Sequence, residues 1–229
     1  MTAYWKFLLP GAVSPFAGYR WAGAEGAWVD GGAVTPCRTG IHACRSEDLA
    51  YWLLPELWSI DLDGVHPGSD ADHKVVARRG RLLDRVGAWS AETERELAID
   101  CIRRTADHAA AELRAAGDQA GAEELESSRD LGDPDRRTAL ADAGAAAAAR
   151  ALAAGHREAA RLALYVADAV EYLDSCPVAT IAYIAARAAH ERTGLDPGRD
   201  GHDAERDWQS RWLVERLDLA VSAKRSEDL

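Results

Sequence analysis

At Gly87–Ser90 the chain changes character, and that change limits what it can fold into. Before it, short apolar stretches alternate with polar residues and are cut by Gly and Pro. After it come long alanine-rich runs. Period-two alternation builds half-buried strands, whereas unbroken Ala, Leu, Arg and Glu build helices. Six of the eight tryptophans lie before residue 90, so the first segment has the bulky side chains a small core needs. The expectation is an α+β protein: a small Trp-rich mixed α/β module over 1–89, followed by an Ala-rich antiparallel helical bundle over 90–229.

Within the first segment, Tyr4–Leu9 is an apolar run stopped by Pro10-Gly11. Tyr19–Trp21 and Ala27–Val29 are further strand candidates. Trp58, Ile60 and Leu62 alternate with Ser59, Asp61 and Asp63, which predicts a strand ending at Gly64. Lys74–Ala77 and Arg81–Val86 predict two strands about a turn at Gly80, with Arg78, Arg79 and Arg81 on a solvated corner. Ser46 before Glu47 and Asp48 predicts a capped short helix ending at Pro55. Beyond Ser90, helices are expected to Ala116, over 118–128, from Pro134 to Ala154, from His156 to Leu173, from Pro177 to a stop at Gly194, and over Asp203–Leu219. In the last, Ala204, Trp208 and Trp212 recur one turn apart and predict its docking face.

The net charge of −11 is unevenly spread: residues 1–90 carry 9 Lys and Arg against 10 Asp and Glu, the rest 18 against 28. An acidic surface repels phosphate backbones, which argues against nucleic acid as a partner. No apolar run reaches the ~18–20 residues that span a bilayer. No basic stretch leads into an apolar one at the start, so the cytoplasm is the expected location and the four cysteines are expected to be free. Lysine occurs only at Lys6, Lys74 and Lys224, which reads as the codon usage of a GC-rich bacterial genome.

One cluster stands out, Cys37-Arg-Thr-Gly-Ile-His42-Ala-Cys44. If 41–44 is extended, His42 and Cys44 point to the same side. Cys37 can join them if Gly40 turns the chain. Imidazole and thiolates suit zinc, so Cys37, His42 and Cys44 are candidate metal ligands, with His66, His73 or Cys101 as a fourth. Their spacing matches no standard zinc finger. The plainer reading is two buried small apolar side chains and a His held by backbone. A catalytic reading makes His42 the base for Cys44 or Cys37, or pairs it with Glu47 and Asp48.

These residues carry a resemblance. Pro36–Cys44, then Asp48-Leu-Ala-Tyr-Trp52, then Trp58–Gly64 resemble an uncharacterised domain family of bacteria and their phages with a Cys-x-x-Gly-x-His-Ala-Cys hallmark. The resemblance implies that Cys37, Gly40, His42 and Cys44 act as a unit, and implies no activity. The helical half, through its Ala-rich helices and Glu205–Gln209, is loosely similar to helical immunity-like proteins of bacterial toxin systems. Gly40-Ile-His-Ala43 is also similar to a turn of ADP-ribosyltransferase-like folds, without their remaining catalytic residues.

The leading functional expectation is a non-enzymatic interaction or regulatory protein. Its first module recognises, and its acidic bundle docks another protein. The alternative is an enzyme or a metal- or cofactor-binding protein with its site around His42, Cys37 and Cys44.

Overall fold

The computed structural model describes residues 3–21, 23, 25–35, 38–67, 73–127, 130–192 and 201–219. It is an α+β protein, with an antiparallel sheet in the first half and helices after it. The chain packs as two compact units. One takes the chain up to Thr93 together with the part from Asp207 onward, and the other takes Glu94–Arg206. The division falls within two helices, α1 and α6, bounded below.

In the first unit, β1 (Tyr4–Leu8), β4 (Glu56–Val65) and β5 (Val75–Arg85) lie side by side, each antiparallel to the next. The short strands β2 (Val29–Asp30) and β3 (Ile41–Ala43) both pair with β5. A further bridge, Trp5 with Cys44, ties the end of β3 back to β1. The ladder β1–β4–β5–β3 therefore returns on itself and leaves little free edge. Leu8, Trp21, Ile41, Ala43, Ile60 and Leu82 form its core.

Three expectations in this unit are corrected. Gly80 is not a turn but the middle of β5, where it pairs with Val29 and Leu62. A Cβ there would lie 2.6 Å from Ile41 Cγ2, so the missing side chain makes room for Ile41. Ser46 does not cap: Ser46–Tyr51 is a 3₁₀ segment whose N-cap is Arg45 and which has no side-chain cap bond. Arg79 and Arg81 are strand residues paired across the sheet with Asp63 and Asp61, and both guanidiniums lie over the Trp28 ring.

The helices are α1 (Ala91–Ala115), α2 (Gln119–Ser127), α3 (Pro134–Ala153), α4 (Arg157–Glu171), α5 (Val178–Arg192) and α6 (Gly201–Arg216). Ser90 Oγ accepts from the Thr93 amide at the head of α1. Asp133 caps α3 with Pro134 in its first turn, and Gly155 at φ 85° separates α3 from α4. α3 and α4 form an antiparallel hairpin so close that a Cβ on Gly144 would lie 2.9 Å from the Ala163 carbonyl oxygen. Gly194, the expected stop of α5, lies outside the described residues. On α6 the buried side chains are Glu205, Arg206, Gln209, Ser210 and Leu213, whereas Trp208 and Trp212 are only half-buried. The expected face is therefore displaced by one residue. Ser210 accepts from the Ala50 amide, and Glu205 accepts from Arg104. No described helix is long and apolar enough to cross a membrane.

Candidate functional site

β1 and β3 meet through the backbone bonds of one residue pair, Trp5 N–H to Cys44 O and Cys44 N–H to Trp5 O, at 2.9 and 2.8 Å. A cleft of about 600 Å³ is lined from both of these strands, by Trp5–Phe7 and by Gly40–Cys44. Residues 14–17 and 29–31, Tyr19, Trp21, Arg38, Thr39, Trp52, Leu54 and Lys74 complete it, so one carboxylate, Asp30, and one guanidinium, Arg38, also line it. Both faces of β1 reach the cleft, as expected where a ladder opens into a seam.

Gly40 enters β3 at φ 111°, and a Cβ there would meet Val76 at 2.8 Å, so the corner before His42 needs glycine. His42 is half-buried and pairs with Val76 across the ladder. Burial pushes its imidazole below the ordinary histidine value. The nearby charges of Lys6 and Lys74 push the same way, and a backbone bond at Gly40 opposes them. Cys44 is buried, and its thiol donates to the Trp5 carbonyl at 3.4 Å. Burial, then the charge of Asp48, drives that thiol far above the usual range. Without a metal beside it, a thiol so shifted stays protonated.

Cys37 lies outside the described residues. Among those described, no group of three His, Cys, Asp or Glu is placed to hold a metal ion. His73, one of the suggested fourth ligands, is instead bonded through Nδ1 to Asp48 Oδ1 at 3.1 Å, and its ring stacks on Tyr51. His66 uses its backbone amide on Val76. Cys101 is buried in the helical unit.

The cleft also presents groups that sequence reading passed over. Lys6 and Lys74 are each only 8% exposed, which is rare for lysine. Lys6 Nζ donates to the His42 carbonyl at 2.5 Å and lies 5.6 Å from the Trp21 ring centre. Among the described residues no carboxylate pairs with it. Burial brings its amine down to about 8. In the same unit Trp21, Trp52, Trp58 and Trp89 each donate their indole N–H to a protein oxygen. Trp5, at 6% exposure, has no partner for its own. The signal available beforehand was the scarcity of lysine: a chain with 24 arginines places two of its three lysines in one cleft.

No protein family, curated protein or solved structure matches this chain.

Proposed function

We propose that the chain is a non-enzymatic recognition protein whose sheet unit binds a small anion in the β1–β3 cleft. The observation that carries this reading is the unpaired Trp5 N–H in a cleft that also buries Lys6 and Lys74. A buried donor without an acceptor costs about 1–3 kcal/mol, and the buried Lys6 ammonium, which no carboxylate among the described residues pairs, costs more. A carboxylate or phosphate oxygen would relieve both. The walls beside these donors are aromatic: Tyr19, Trp21 and Phe16, the last 90% exposed at the rim. They suit an anion with an apolar or planar body. The same two ammonium groups oppose a divalent cation at His42, which sets zinc below an anion as the occupant. The strongly acidic remainder, residues 91–229, is the part we assign to a protein partner.

The test is calorimetric titration with small carboxylates and phosphate esters. Saturable binding is expected, weakened about tenfold or more in Trp5→Phe and Lys74→Met, as befits a lost bond to a charged group. Absence of saturable binding across the panel would overturn the reading. An enzyme remains the second reading, favoured by Asp48 on His73 Nδ1, which leaves Nε2 for proton transfer. Hydrolysis of p-nitrophenyl acetate that is lost in His73→Gln would support it.

A further inference from the structure

Arginine serves this chain at nearly every basic position. Both described lysines are instead buried in the anion cleft. The two side chains differ chemically in one respect that matters here: a lysine amine can shed its proton and act as a nucleophile, and a guanidinium cannot. A site that needed only positive charge would be met by arginine, which also makes the better fork on a carboxylate. Lys6 is the more telling of the two. Its amine bonds to a backbone carbonyl, a partner that a neutral amine keeps through one N–H while its lone pair stays available. The apolar faces of Trp21 and Ile41 line the cleft with it.

We propose that Lys6 captures the carbonyl carbon of a small anionic aldehyde or 2-oxo acid as an imine. The idea rests on the anion-binding reading above and names the ligand class. The Lys6 nitrogen lone pair forms the C–N bond, and the carbonyl oxygen takes a proton to give a carbinolamine. Loss of that oxygen as water leaves C=N, with no change of oxidation state and no other reactant. The ligand's carboxylate or phosphate is held by other donors of the cleft lining, Trp5 N–H and Arg38 among them.

Glyoxylate with sodium cyanoborohydride tests this on the full chain, because reduction fixes the imine as a carboxymethyl group. Intact mass should rise by one carboxymethyl group, and peptide mapping should place it on Lys6 rather than on Lys74, Lys224 or the amino terminus. The gain should be absent in Lys6→Arg and kept in Lys224→Arg. Excess glycolate, which has the anion but no carbonyl, should suppress it. Mapping of the wild-type chain decides the matter even if the Lys6 variant does not fold. Saturable glycolate binding without Lys6 label overturns the imine and leaves the anion site standing. Neither binding nor label overturns both, and label spread evenly over the lysines overturns the imine as a site-specific step.

Discussion

Arg104 grips Glu205 through two parallel hydrogen bonds, Nε to Oε1 at 2.7 Å and Nη2 to Oε2 at 2.6 Å, and the carboxylate they hold is 1% exposed. His108 Nε2 stands 3.7 Å from the same carboxylate. The pair joins α1 to α6 within the helical unit. Burial pushes the Glu205 carboxyl up, but His108 and Arg104 together outweigh it and hold the group below the ordinary glutamate value.

Folding therefore favours the ionised form of Glu205. The sign follows: its contribution is fully present above the unfolded-state value near 4.3 and is lost as pH falls through the lower folded value. Glu205→Ala should cost about 3 kcal/mol, the low end for breaking a buried pair, because Arg104 is about one-third exposed and can rehydrate. Urea melts at pH 7 and pH 3 would check this. The wild-type advantage over Glu205→Ala should shrink at the lower pH, and an advantage independent of pH would contradict the pairing.

Gly80→Ala should destabilise the sheet unit by about 1–3 kcal/mol, the usual range for overpacking a filled core. The new methyl would meet Ile41 Cγ2 at 2.6 Å and Ile60 Cδ1 at 3.2 Å. Ile41→Ala opens the space it needs, so the double variant should lose less than the two single losses added together. Additive losses in thermal melts would mean the two residues do not share that space.

Gly80 also shows why some of this fold was legible and some was not. The helices could be read because their signals are local: Asp133-Pro134 starts α3, and Gly155 ends it. At Gly80 the local signal says turn, and what overrules it is Ile41, 39 positions away in sequence. The corner at Gly40 was legible, since a glycine before His42 announces unusual backbone. The Asp48–His73 bond was not, because a helix-start acid and a loop histidine carry no mutual mark. Lys6 lay in a run that reads correctly as a strand, but nothing in the pattern says that its amine is buried. The scarcity of lysine acquires meaning only once two of the three share a cleft.

Thiol reactivity should follow burial. Cys44 and Cys101 are free and buried, with burial pushing both thiols far up, while Cys176 is free and half-exposed. In the native chain Cys176 should react with a thiol reagent long before either of these. In denaturant all four cysteines should titrate. Fast native labelling of Cys44 would contradict its place under the Trp5 carbonyl.

Lys6 makes the most pointed prediction, because its cost to stability can be measured apart from any ligand. Its amine falls from the ordinary 10.5 to about 8 through burial. A folded value below the unfolded one means that folding disfavours the charged form. At pH 10.5 the folded amine is neutral and the unfolded one half so, and above it both states are largely neutral, so the penalty is small. As pH falls from about 10.5 to about 8 the unfolded chain takes up the proton first, and stability is lost. Below about 8 the penalty is complete, of order 3 kcal/mol by the conversion of about 1.4 kcal/mol per pH unit. Against it stands the hydrogen bond to His42 O, about 1 kcal/mol. Lys6→Met keeps the side chain's length and removes the charge. It should therefore be more stable than the wild type at pH 7 by about 1–2 kcal/mol, an advantage that disappears by pH 10.5. Denaturant melts of both proteins across that range measure it. A Lys6→Met variant that is less stable at pH 7 would show that the ammonium is well paired in the folded chain, and would remove the argument that it waits for an anion.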